Sequence, residues 1–311
     1  MMKYIRFYWD VLVDTFKAWN KSPSSVYSSS LAYSAIFSIP GLMVIIIWLA
    51  SYFFGEDAVH GEIADQISGV MGGDVSESMQ SLIANAFVDK DNFIMKTVGV
   101  VSLIMGSTSL FIHLQRALNE LWDIEVKPKQ AFLKFILDRA NSVGMILVLG
   151  FLLMITMILT SLISVFNDYI TNQLGMETYY LMQSVNVLVS FLVIVVIFSF
   201  MFKVLPDVDI SWKSVIAGSI LTAILFVIGK SLLNLYFSQF KPTSAFGTAG
   251  TIILIMMWIN YSCMLIFFGA EFTKIYSYKK GYSIQPSKHA KWSANKMIRD
   301  QEALLQDSDQ I

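Results

Sequence analysis

Charge is what this chain lacks. Of its 311 residues only 14% are Asp, Glu, Lys or Arg, against about 25% in soluble domains. Hydrophobic residues make up 55%. Such a chain cannot clothe a water-soluble surface, so the composition points to a polytopic membrane protein and away from a soluble enzyme. Cysteine is almost missing too. The single Cys263 cannot form an intrachain disulfide, and it reads as a small apolar core residue. Catalytic signatures are absent: there is no Walker loop, no HExxH and no CxxC pair. The three histidines, His60, His113 and His289, lie in different segments. No metal, cofactor or nucleic-acid partner is expected, and no enzyme. A cleavable signal peptide is not expected either. The first apolar run starts near Leu31, follows an aromatic-rich segment and precedes no small-residue cleavage site.

What is present is long apolar runs. Six spans are expected, at about 31–54, 94–112, 142–166, 181–205, 214–237 and 248–272. The fold class is therefore all-α, a six-helix membrane bundle (residues 31–272) with interfacial amphipathic helices. Residues 1–30 form a cytoplasmic segment. Within it Ile5, Tyr8, Trp9, Leu12, Phe16 and Trp19 recur at helical spacing and oppose Lys3, Arg6, Asp10, Asp14 and Lys17, a pattern suited to the headgroup boundary. The outer loop 55–93 carries a further amphipathic helix around Val75–Phe87. Residues 273–311 are expected to be a cytoplasmic tail, partly disordered. Lys and Arg number eighteen in the segments before span one and after spans two, four and six, counting Lys203 in the last turn of span four, but two (Lys90 and Lys241) in the alternate loops. That bias puts both termini inside.

Polar residues inside apolar runs are the functional candidates. Span five holds Lys230, Ser231, Asn234 and Tyr236, and Gly247 and Gly250 open span six. Together they form a candidate polar path or anion site, with Lys230, Ser231 and Asn234 able to share a face. Lys230 and Glu271 are too far apart in depth to pair. His113, Arg116, Asn119 and Glu120 cluster where span two leaves the membrane, and with Glu271 they make a candidate cytoplasmic gate or docking site. Pro206-Asp207-Val208-Asp209 reads as a turn in which Pro206 ends span four and an acid or Ser211 caps the next helix.

Several motifs in this order resemble one family, the YihY/BrkB-like bacterial inner-membrane proteins. They are SLAYSAIFSIP at 30–40, SLFIHLQRALNELW at 109–122, LPDVDISWKSVIAGS at 205–219, KSLLNLYFSQF at 230–240, and FGTAG, WINYS and FFGAE through 271. Phe246 departs from the family, which more often has tyrosine there. The resemblance implies a six-helix protein of the bacterial cytoplasmic membrane, of poorly defined activity. Some members were once labelled ribonucleases, and others are associated with serum resistance or with export of envelope lipid. The expected function is transporter-like handling of envelope lipids or other anionic amphiphiles, with membrane lipids as partners. The alternative is a scaffold that recruits envelope-assembly proteins without transport.

Overall fold

The computed structural model describes residues 2–36, 109–127, 140, 144, 148, 152, 176–240, 248–298 and 301. These are mostly helical. Helix α1 is Met2–Lys21, and α2 begins at residue 24 and is described to 36. Helix α3 is described over 109–121 and leads into strand β1, Ile124–Val126. Then come α4 (Met176–Val204), β2 (Val208–Asp209), α5 (Trp212–Phe240) and α6 (Thr248–Lys279). Strands β3 (Gln285–Pro286) and β4 (Ala290–Trp292) follow. Three of these helices are long and apolar enough to cross a membrane. Their apolar windows are Val187–Val204, Trp212–Phe237 and Ile252–Lys279, with mean hydropathies of 2.7, 2.1 and 2.1. Apart from residues 31–36 and 109–112 and single positions, the three earlier expected spans lie outside the described residues, as does the loop 55–93.

The packing of α5 on α6 rests on small residues. A Cβ added at Gly218 would overlap the Thr273 hydroxyl, and one at Gly269 would overlap the Thr222 hydroxyl. One turn further, Ser214 and Ser277 join their hydroxyls at 2.8 Å. The two helices therefore meet along Ser214, Gly218 and Thr222 on one side and Ser277, Thr273 and Gly269 on the other. Close backbone approach of this kind drives helix association where water cannot. The threonine hydroxyls donate back to the glycine carbonyls one turn before them, at 2.8 Å for Thr222 and 2.7 Å for Thr273, so neither threonine hydroxyl is stranded.

Helix α6 does not stop at Phe272, where the tail was expected to begin; it continues to Lys279. Phe272 and Tyr276 are buried against Val11 of α1, and Thr273 and Ser277 face α5. The helix ends in a Schellman motif. Gly281 has a φ of 71°, Tyr282 N–H donates to Ser277 O at 2.9 Å, and Gly281 N–H donates to Tyr278 O at 3.0 Å. The following residues turn back and pair: β3 runs antiparallel to β2, and β4 antiparallel to β1. Through residue 292 the tail is thus part of the folded frame.

Helix α1 divides its surface in three. Val11 and Thr15 are buried against α6, whereas Trp9 and Phe16 are 66% and 58% exposed. The aromatic stripe read from the sequence is split: Tyr8 and Trp19 meet Tyr276 and Phe268 of α6, while Trp9 and Phe16 remain exposed. At about 100° per residue, Phe7, Val11 and Thr15 form one sector, Trp9, Leu12 and Phe16 the next, and Arg6, Asp10 and Lys17 the third. Asp14 pairs with Lys279, and Lys280 lies over the Phe7 ring, 4.5 Å from its centroid.

Two predictions follow from these contacts. Gly218→Ala should destabilise the protein by about 1–3 kcal/mol, as overpacking does, and Thr273→Ala added to it should restore part of the loss. Unfolding midpoints in detergent would show this, and a stable single variant would refute the close contact. The hydrogen bond and charge of Lys279 hold the Asp14 carboxyl below its usual value. The pairing is therefore fully present above the ordinary aspartate range, about pH 4, and is lost as pH falls through the depressed value. Hydrogen exchange in residues 7–19 should rise at that acid end, and should be equally raised at pH 7 in Asp14→Asn.

Candidate functional site

A buried polar cluster lies where α3, the α4–α5 turn and the tail meet. Helix α4 ends at Val204 before Pro206, which has no N–H to continue the ladder. Ser211 then caps α5. Its hydroxyl accepts from Lys213 N–H at 3.4 Å, and its carbonyl accepts from Ser214 and Val215 N–H at 3.0 and 3.1 Å. Asp207 does not cap. It is buried, and Asn119 grips it twice: Asn119 Nδ2 donates to Asp207 Oδ2 at 2.8 Å, and Asp207 N–H donates to Asn119 Oδ1 at 2.8 Å. Gln115 Nε2 reaches the same carboxylate oxygen at 3.4 Å, and the Asp207 carbonyl accepts Ser287 N–H at 3.0 Å. Asp209, two residues on, is exposed. The two acids therefore do not converge on one cation.

The neighbouring layer ties α3 to α6. The Trp122 indole N–H donates to Ala270 O at 3.1 Å. Lys274 Nζ donates to Leu121 O at 2.6 Å and to Asp123 Oδ2 at 3.0 Å. Asp123 has a φ of 59°, a left-handed conformation that aspartate tolerates better than most residues. Glu271 is buried beside this pair, with Lys274 and Asp123 as its charged neighbours. Around these groups Trp122, Phe202, Leu205 and Phe267 are fully buried.

The structure separates residues that the sequence had grouped. On α3, His113, Arg116 and Glu120 face outward while Asn119 faces inward with Gln115. The reason is angular, since positions 113, 116 and 120 share a helix face and 115 and 119 share another. On α5, Lys230 and Asn234 are half-buried on the flank of the packed side. Ser231 is exposed and its hydroxyl donates to Val227 O at 3.2 Å. Tyr236 is exposed as well. Lys230 and Asn234 thus share a side without Ser231 or Tyr236. Gly229, just before the lysine, is buried where a Cβ would overlap the Tyr261 hydroxyl. Gly247 lies outside the described residues, and Gly250 is in the first turn of α6.

Gln115, Asp207, Asp123 and Lys274 were not singled out as site residues from the sequence, nor was the Gly218–Gly269 contact. Only the last had a legible signal, the same Gly-x3-Thr spacing in spans five and six. Removing the buried acceptor should leave two amide donors unsatisfied. Asp207→Ala is expected to lower stability by about 1–3 kcal/mol, while Asp209→Ala should stay within about 0.5 kcal/mol of wild type, as exposed changes do. Equal effects at the two positions would contradict the buried pairing.

Comparison with known proteins identifies the family. The family profile described as Virulence factor BrkB matches residues 15–294. The chain is similar to the ribonuclease-like protein YfkH of Bacillus subtilis, with 23% identity over 257 residues, covering 81% of this chain and 90% of that one. It is similar to a UPF0761 membrane protein of Psychromonas ingrahamii, with 24% identity covering 82% of this chain and 84% of the relative. A Pseudomonas aeruginosa UPF0761 membrane protein is 25% identical over 81% of this chain, and there the match spans only 58% of the relative. No solved structure matches. With the family profile covering residues 15–294, from the last turns of α1 through α4, α5, α6 and both β-ladders, the chain belongs to the BrkB family of membrane proteins.

Proposed function

We propose that this protein moves anionic amphiphiles, envelope lipids among them, within the bacterial cytoplasmic membrane, with both termini inside. The observation that carries this reading is Lys230. It lies in the apolar window Trp212–Phe237, about 8 Å beyond its middle, half-buried on the packed flank of α5. A cation at that depth is disfavoured by several kcal/mol unless water or a polar partner meets it, and such residues mark substrate paths in membrane proteins. Asn234, one turn further, adds an amide on the same flank. The exposed aromatics of α1 fit the headgroup zone and its charged sector fits water, which would fix the inner rim of the bundle. The eighteen-to-two distribution of Lys and Arg supports the orientation.

The test is translocation of a fluorescent phosphatidylglycerol in vesicles containing the purified protein. Losing one charge-assisted hydrogen bond, about 1.5–3 kcal/mol, should slow Lys230→Ala at least about tenfold, and Lys230→Arg should retain most of the rate. Equal rates in wild type and Lys230→Ala, or no translocation by wild type, would remove the basis of this reading. In that case recruitment of envelope-assembly partners becomes the better account.

A further inference from the structure

Contacts with α6 fix how deep α2 and α3 sit. The Trp122 indole bonds Ala270 O at 3.1 Å, Asn260 Nδ2 donates to Ser29 Oγ at 3.0 Å, and the Tyr27 and Phe267 rings meet edge-on with centroids 6.4 Å apart. His113 precedes Trp122 by nine residues, about 14 Å of helix, which brings it level with about residue 261 of α6. The Ser34 hydroxyl lies 3.1 Å from His113 Nδ1. Ser34 follows Ser29 by five residues, about 8 Å, and so lies level with about residue 255. Both routes land inside the apolar window Ile252–Lys279. His113 and Arg116 are therefore at membrane depth, not beyond the inner surface where the sequence had placed them.

At that depth the outward faces are largely polar. Ser29, Ser30 and Tyr33 are exposed on α2, and His113, Arg116 and Glu120 on α3. From 111 to 122 every other residue of the α3 segment is buried. Helix α5 is the contrast, for its outward face is Ile216, Ile220, Ile224, Ile228 and Leu232. That face suits lipid chains, whereas a guanidinium and a carboxylate facing hydrocarbon would be strongly disfavoured. Among the described residues the Arg116 guanidinium makes no hydrogen bond or ion pair.

We propose that the outward faces of α2 and α3 line a water-filled vestibule at membrane depth, in which Arg116 receives the phosphate of an anionic amphiphile. The guanidinium presents a planar fork of donors that matches phosphate oxygens, and the exposed Ser30 hydroxyl adds a donor on the same side, whereas the Ser34 hydroxyl is already committed to Ser30 O at 2.9 Å. Glu120, one turn toward Trp122, carries the opposite sign and confines the anion to the turn holding His113 and Arg116. The choice of ligand rests on the lipid-moving reading above. The vestibule itself does not.

The experiment uses single cysteines in the full chain reconstituted in nanodiscs, so that both membrane faces meet the reagent. Thiols react as thiolates, which form in water and not in hydrocarbon. Native Cys263 is buried and sets the baseline. A charged methanethiosulfonate should modify Ser30→Cys and His113→Cys at least ~10-fold faster than Ile224→Cys. Ser30→Cys exchanges one atom, which guards against misfolding at His113. Rates as slow as at Ile224 would overturn the vestibule, whatever covers the face. Short-chain phosphatidylglycerol should then slow labelling of His113→Cys, and Arg116→Gln should abolish that protection. Protection by the lipid alone identifies a headgroup, and protection by inorganic phosphate as well identifies phosphate from either source. Protection by neither overturns the role of Arg116. Because Lys230 plays no part in these rates, failure of lipid translocation and failure of the vestibule are separately visible.

Discussion

An ionised side chain at membrane depth needs water or a polar partner, and hydrocarbon supplies neither. That constraint explains why, among the described residues, most charges gather at one end of the bundle and why the few exceptions are informative. Helix α5 satisfies it by turning isoleucines and leucines outward and keeping Lys230 on its packed flank. Helices α2 and α3 do the reverse, presenting serines, a histidine and an arginine. A single physical rule thus separates a lipid face from a wet one on the same bundle.

Around those faces the molecule is rigid by design of its contacts. Glycines at 218 and 269 bring α5 and α6 to backbone distance, and each is filled by the threonine of the other helix. At the far end of the same pair, Asn119 and Asp207 lock α3 to the α4–α5 turn, and the two short ladders fasten the tail across both. Buried polar networks of this kind are stable only when every member is satisfied. Sliding α5 along α6 would break the register of three small-residue contacts at once, so the pair behaves as one body.

Much of this frame was legible in the sequence, because α4, α5 and α6 announce themselves as apolar runs of membrane length. Lys230 was legible for the same reason, as a charge interrupting such a run. Asp207 was hidden because Pro-Asp has a sufficient local explanation as a turn, and a single chain does not reveal that Asn119, 88 positions away, reaches it. Strands of two or three residues carry no period to read, so β2, β3 and β4 were invisible and the tail looked loose. On α1 the sequence pointed the aromatics toward the headgroup boundary but carried no sign that Val11 and Thr15, between them and the charged sector, would be the buried positions. The depth proposed for Arg116 was not legible because hydropathy falls at His113 while the helix continues.

The central claim is that the polar residues at membrane depth meet an anionic headgroup and water. The most direct measurement is an experimental structure of the protein in a bilayer rich in phosphatidylglycerol, resolved well enough to separate headgroup from acyl chain. The account predicts phosphate density against Arg116, with acyl chains lying along Ile220, Ile224 and Ile228 of α5. Acyl-chain density packed on Ser30, His113 and Arg116 would contradict it.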